Sequence, residues 1–227
     1  MSATDAAERA KYVAIITDGN GRWAQARGLP TVEGHQAGAD AVKGRLRDAV
    51  RLGVQELTVY SFSTENWSRS AEEVTGLMRM FSQRLTVETP ELDAEGVRMR
   101  FIGRRDRVGA ALLEQMEWAE ATTAQNTRIT LFVAFDYGGR EEILHAAERY
   151  AGGGEEEFAK GLYAPDMHAP DLLIRTSGEQ RLSNYLLWQS AYSELVFAPE
   201  LWPDFDTAAF ERCLAEYDTR QRRFGGR

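Results

Sequence analysis

Six short apolar runs, separated by stretches of helical periodicity, constrain this chain more than any other feature; they fall at residues 12–16, 57–62, 97–102, 129–135, 172–174 and 195–197. A strand with one face in water alternates polar and apolar residues, so nearly continuous runs belong to strands buried on both faces, as in parallel sheets. Helical patterns over 38–52, 71–87, 107–126 and 140–150 lie between the runs, the first closed by Gly53 and the second ending before Pro90. This alternation implies an α/β fold: a single domain with a mostly parallel central sheet flanked by helices. Open sheets of this kind bind ligands at the carboxyl ends of their strands.

With 227 residues, 43% of them hydrophobic, the chain is large enough to bury one substantial core. No repeat or composition shift divides it, so one domain over 12–227 with a flexible N-terminus over 1–11 is expected. The GGGEEE stretch at 152–157 reads as a solvated turn. No run approaches the roughly 18 apolar residues of a membrane span, and the first ten residues lack the features of a secretory signal, so a cytoplasmic location is expected. The net charge of −8 argues against a general nucleic-acid surface while leaving room for a local anion site built from arginines. The lone Cys213 has no partner for an internal disulfide and reads as a helix-face residue.

Three segments carry polar chemistry beside these runs. The first run leads into Asp18, Gly19, Asn20, Gly21, Arg22 and Trp23. Two glycines let backbone N–H groups approach an anion, the arginine pairs with diphosphate oxygens, and the carboxylate offers a hard ligand to Mg²⁺. Taken alone, the segment reads more simply as a hairpin turn, since Asp-Gly and Asn-Gly are common turn dipeptides. Neither the P-loop nor the GxGxxG pattern is present. The second run leads into Ser63, Thr64, Glu65, Asn66, Trp67, Ser68 and Arg69, a polar set beside an apolar wall. The same residues suit a helix N-cap, with Trp67 as core. In the third segment Arg175 and Arg181 flank a small-residue turn, Ser183 adds a hydroxyl, and Glu194 precedes the last run. Paired arginines suit a second diphosphate, with Glu194 expected to meet Asp18 across the site. The plain alternative is surface ion pairing.

In order, DGNGRWA (18–24), EGHQAGA (33–39), SFSTENWSR (61–69), RFIG (100–103), DYGGR (136–140), RTSGEQRLSNYLLWQSAYSEL (175–195), LWPDF (201–205) and RRFGG (222–226) resemble the cis-prenyltransferase family, which includes the undecaprenyl diphosphate synthases. The resemblance implies an apolar tunnel, a homodimer and Mg²⁺ as cofactor. It implies two substrates, isopentenyl diphosphate and an allylic diphosphate (farnesyl or geranyl), joined into a Z-prenyl diphosphate of up to the C55 class, with transient membrane contact for product release. It also implies roles for particular residues. Asp18 handles metal and diphosphate as the catalytic acidic residue; Gly19, Asn20, Gly21, Arg22 and Trp23 cradle the allylic diphosphate with His35 nearby. Ser63, Thr64, Glu65, Trp67 and Arg69 form a second substrate motif, in which Asn66 is the expected proton acceptor. An amide is a poor base, so a diphosphate oxygen or a water positioned by Asn66 is an equal candidate. Arg175, Arg181 and Ser183 hold isopentenyl diphosphate, Glu194 is a metal ligand, and residues 222–226 reach a neighbouring subunit. Gly76, Leu77, Met80, Phe81, Leu85 and Val133 are expected to set product length.

Four departures from the family pattern stand out: Thr17 where methionine is usual, Asp136 where asparagine is common, Thr31 where many members carry an arginine, and a short 141–170 segment. A lost arginine–diphosphate contact weakens binding by roughly 1.5–3 kcal/mol unless Arg27 or another basic residue replaces it. Thr31 and the short segment keep a short-chain or irregular, lavandulyl-type synthase in view. A non-catalytic partner subunit is the reading from another class, against which stand the intact acidic and basic motif residues.

Overall fold

The computed structural model describes residues 9–220. Each apolar run becomes a strand: β1 (Tyr12–Ile16), β2 (Glu56–Ser63), β3 (Val97–Ile102), β4 (Ile129–Tyr137), β5 (Leu172–Arg175) and β6 (Glu194–Phe197). They form one all-parallel sheet in the order β3-β4-β2-β1-β5-β6. The helices are α1 (Asn20–Ala26), α2 (Thr31–Leu52), α3 (Ala71–Ala94), α4 (Ala110–Thr122), α5 (Gly139–Ala147), α6 (Glu155–Ala159) and α7 (Thr207–Asp218), with short 3-10 turns at Thr64–Ser68 and Trp202–Asp204.

Successive strand residues feed two cores. Val13 and Ile15 of β1, with Leu131, Val133 and Phe135 of β4, face the larger core, which also takes in Leu85 of α3 and Phe210 of α7. Ala14, Ile16, Phe132 and Ala134 face a smaller core built on Tyr137, Tyr185 and Leu186. This is the period of two of a strand covered on both sides, and it explains why the runs are continuous. Ala10 is buried and the backbone N–H of Lys11 donates to Asp171 (2.9 Å), so the described part of the N-terminal stretch is tied to the sheet.

Several boundaries differ from the sequence reading. The segment 18–24 is no hairpin; Gly19, at φ 114°, turns the chain into α1. Helix α2 begins at Thr31 rather than residue 38 because its glycines serve close packing. A Cβ on Gly34 would lie 2.1 Å from the Asn20 carbonyl oxygen, and one on Gly38 would lie 2.4 Å from Asn20 Oδ1. Helix α3 is capped by Ser70, whose hydroxyl accepts from the Glu73 N–H (3.2 Å), and it continues through Pro90 to Ala94. Buried Leu85, Thr89 and Leu92 hold it to the core and outweigh the proline penalty. The three glycines at 152–154 form a left-handed loop, but the glutamates after them open α6. Cys213 lies inside the core, where burial pushes its thiol up to about 12.

Candidate active site

The site grows from the junction of β1 and β5, which are neighbours in the sheet. Just beyond β1 the backbone N–H of Asp18 donates to Thr176 Oγ1 (2.9 Å), and its carbonyl accepts from that hydroxyl (2.7 Å) and from the Trp202 N–H (2.9 Å). Both main-chain groups are thereby fixed, and the carboxylate is aimed at arginines. Arg175 Nη2 donates to Asp18 Oδ2 (2.8 Å) and Arg22 Nη2 to Oδ1 (3.2 Å). Burial works to raise the Asp18 carboxyl. Hydrogen bonds from Arg175 and Ser177 and the charges of Arg175 and Arg22 outweigh it and hold the group below the usual carboxylate range.

Arg175 is 4% exposed, which is rare for an arginine and requires partners. It donates to Ser183 Oγ (2.6 Å) and to the Arg181 carbonyl. Arg22 also donates to Ser177 Oγ (2.6 Å), and Glu179 pairs with both Arg22 and Arg181. Around this turn Ser177, Ser183, Asn184 and Leu186 all take positive φ. Such strain collects where a backbone is shaped for a ligand. Asp18, Arg22, Arg175, Ser183 and the Arg181 backbone are therefore one constellation, as the motifs require. Thr176, Ser177, Glu179 and Trp202 complete it, although nothing in the sequence separates these from ordinary turn and core residues.

A second group stands on α2 and α3. Arg69 Nη1 donates to Glu73 Oε1 (2.8 Å), and His35 Nε2 lies 3.8 Å from the same oxygen. Burial and the Arg69 charge depress the His35 ring below 6.5, with Glu73 partly opposing them. Above pH 6.5 the ring is neutral folded or unfolded. As pH falls below 6.5 the unfolded chain takes the proton first, and stability is lost down through the folded value. A His35→Gln variant should flatten the fall in urea midpoint between pH 7 and 5.5; an unaltered slope would assign it to other groups. Asn20 Oδ1, His35 Nε2 and Arg175 Nε are buried without a hydrogen-bond partner, as are a few atoms elsewhere such as Arg98 Nε and the Tyr185 hydroxyl. Each such atom calls for a partner from outside the protein, a water or a ligand.

The second motif is spread wider. Asn66 Oδ1 accepts from the Ser63 N–H (3.0 Å) in a capping box, so its amide builds the turn. Glu65 accepts from Thr64 (3.2 Å) and Asn184 (3.0 Å). Trp67 Nε1 donates to Asp136 Oδ1 (2.8 Å), a carboxylate that also takes both Nε and Nη2 of Arg107. Trp23 points elsewhere, donating to Asp204 (2.7 Å) with Arg27 over its ring. Arg27 itself donates to Asp204 (3.1 Å).

Glu194 requires correction. It opens β6 opposite Leu172, while Arg175 closes β5 opposite Phe197. Three residues of strand, ~10 Å along the sheet, separate their levels. Glu194 pairs with Arg220 (2.9 Å) and does not meet Asp18 within one chain.

Beside the cradle opens an apolar cavity, with Asn20, His35 and Trp202 near the cradle and Leu77, Met80, Phe81, Leu85 and Val133 along its walls. Gly76 lies instead on the neighbouring outer groove with Thr31. A charged cradle at the door of a greasy tunnel fits a molecule with an anionic head and a hydrocarbon tail. Residues 16–225 match the family model described as "Putative undecaprenyl diphosphate synthase". The chain belongs to the undecaprenyl diphosphate synthase family. It is an isoprenyl transferase, 49% identical to "Isoprenyl transferase" of Thermotoga maritima over 95% of this chain and 97% of that one. It is 47% identical to "Isoprenyl transferase 2" of Bradyrhizobium diazoefficiens, covering 98% and 92%. Among solved structures, lavandulyl diphosphate synthase from Lavandula x intermedia in complex with dimethylallyl diphosphate matches with a TM-score of 0.92 and 36% identity, covering 96% and 99%. In this isoprenyl transferase no helix among the described residues is long and apolar enough to cross a membrane.

Proposed function

We propose that the enzyme joins isopentenyl diphosphate to farnesyl or geranyl diphosphate in the cytoplasm, giving a Z-prenyl diphosphate of up to the C55 class, with Mg²⁺ as cofactor. The observation that carries this reading is the Asp18–Arg175–Arg22 cluster beside the mouth of the apolar cavity. An ion arriving with the diphosphate suits the donor set. Asp18 is a single hard oxygen donor, and no group of three or more His, Cys, Asp or Glu able to hold an ion occurs among the described residues. Mg²⁺ is commonly held by one or two carboxylates plus substrate phosphates, which matches such a site. When bound, it neutralises charge on the departing diphosphate.

The chain's own residues account for the remaining steps. Arg22 holds oxygens of the allylic diphosphate and Arg175 those of isopentenyl diphosphate while the allylic C1–O bond breaks and its electron pair leaves with the departing diphosphate. The cavity walls keep water from the allylic cation. The double bond of isopentenyl diphosphate attacks C1, and one proton leaves its C2. With its Oδ1 occupied by the Ser63 N–H, Asn66 is a positioning residue here, and a diphosphate oxygen is the better proton acceptor.

Purified protein given Mg²⁺, labelled isopentenyl diphosphate and dimethylallyl, geranyl or farnesyl diphosphate should yield labelled prenyl diphosphate, and none in chelator. No incorporation with any primer would end the proposal. The likeness to the lavender enzyme and the threonine at position 31 support a second reading, irregular coupling. A branched product from dimethylallyl diphosphate alone would select it.

A homodimer in which residues 222–226 serve the neighbouring subunit is part of the proposal; those residues lie outside the described ones. Removing 222–227 is expected to raise the KM for isopentenyl diphosphate or abolish turnover. A monomer in solution with unaltered kinetics after truncation would refute it.

A further inference from the structure

Below its entrance the cavity descends between the sheet and the α2–α3 pair. Its upper walls are apolar, but farther down three charged side chains, Lys43, Arg84 and Glu88, join the lining. They belong to a polar strap across the seam between the two helices. From α3, Arg84 donates to Asp40 (2.5 Å) and to the Gln36 carbonyl (3.1 Å) on α2, and to Glu88 (2.8 Å) on its own helix. Lys43 of α2 reaches Glu91 of α3 (2.5 Å). The Arg84 and Glu88 side chains are 24% and 16% exposed, whereas Asp40 is 68% exposed. The inner half of the strap is thus largely withdrawn from water and its outer half is wet.

A hydrocarbon chain growing down this cavity meets Leu77, Met80 and Phe81 first. One helical turn below Phe81 it meets Arg84. Further units would have to lie against a paired guanidinium and carboxylate, stripping remaining water from both or forcing them apart; apolar groups supply nothing in exchange. A bulky residue halts a chain by volume, whereas a paired charge halts it by desolvation. We propose that the Arg84–Glu88 pair, braced by Asp40, is the product-length stop of this enzyme. The inference rests on the chain-elongating reading above and names the residues that limit it.

Arg84→Met keeps the length of the stem and removes the charge. It should move the product distribution upward by one or more five-carbon units, and R84M/E88L should move it at least as far, because the withdrawn Glu88 carboxylate goes with its partner and only the water-exposed Asp40 loses one. Arg84→Lys, which keeps a cation at the strap, should retain the wild-type distribution. Asp40→Asn loosens the brace from the exposed side without opening a cavity and should broaden the products toward longer chains. Melting curves establish which variants fold, and chromatography of labelled products reads the lengths. Unchanged lengths in folded Arg84→Met and R84M/E88L overturn the inference, as do unchanged lengths in Asp40→Asn should the Arg84 variants not fold. An equal shift in Arg84→Lys and Arg84→Met overturns it too, assigning the stop to shape. Wild-type protein that elongates no primer refutes the underlying reading, a result distinct from an active enzyme whose product length ignores Arg84.

Discussion

Replacing Asp18 with alanine is expected to lower turnover on the order of 10³-fold, a loss of several kcal/mol of transition-state stabilisation. The carboxylate receives two guanidinium groups, and it is the hard oxygen donor of the cradle. Its main-chain anchors to Thr176 and Trp202 do not involve the side chain, so the loop should keep its course in the variant. Because the folded carboxyl titrates below the ordinary 3.8, its contribution to stability is complete above pH 3.8 and is lost as pH falls through the lower folded value. Asp18 therefore stays ionised through any neutral assay. Steady-state rates with and without chelator, beside circular dichroism of the variant, make the test. Undiminished turnover in a folded Asp18→Ala protein would remove Asp18 from the chemistry.

A large effect on stability is expected at Arg107. Asp136 is 0% exposed and sits at φ 49°, with its charge met by Arg107 and its Oδ1 also taken by Trp67. Breaking a buried ion pair from one side costs about 3–5 kcal/mol, since the remaining charge has no partner. Arg107 is 34% exposed, so Arg107→Met belongs at the lower end, about 3 kcal/mol, and should lower Tm by about 6–12 °C in a chain of this size. R107M/D136N should recover most of that loss. A single variant as stable as wild type, or no recovery in the double, would show that the pair does not hold this corner.

The position of Asp136 also shows what a sequence conceals. The run before it is apolar, so a carboxylate at its end calls for a countercharge, but of the three arginines in the loop after β3, Arg104, Arg105 and Arg107, none carries a mark to say that it is the one. The strands were legible because burial on both faces leaves continuous apolar runs. Their parallel pairing was legible too, and it already bears on Glu194: a residue that precedes a strand of a parallel sheet stands at the opposite edge from one that follows the neighbouring strand, and Glu194 opens β6 while Arg175 closes β5. The glycines of α2 misled for a different reason. Gly34 and Gly38 lower helix propensity locally, while their benefit, the close seating of Asn20, is tertiary and has no local signal. The grouping of Asp18, Arg22, Arg175 and Ser183 came from the ordered series of motifs that resembles a family, since each segment taken alone read equally well as a turn or a surface ion pair; the structure brings the four side chains into one cluster.

The central place of β1, between β2 and β5, bears on how the protein is made. On a ribosome the chain emerges from its amino end, and by the time Tyr137 is free β1 to β4, α2 and α3 are all available. Apart from Trp202, every residue lining the hydrocarbon cavity comes before Tyr137 in the chain. Arg175 and Thr176 come later. A nascent chain can therefore assemble the cavity walls before Arg175 and Thr176 complete the diphosphate cradle, and until β5 arrives β1 presents an open apolar edge, the kind of surface that invites a wrong strand or a chaperone.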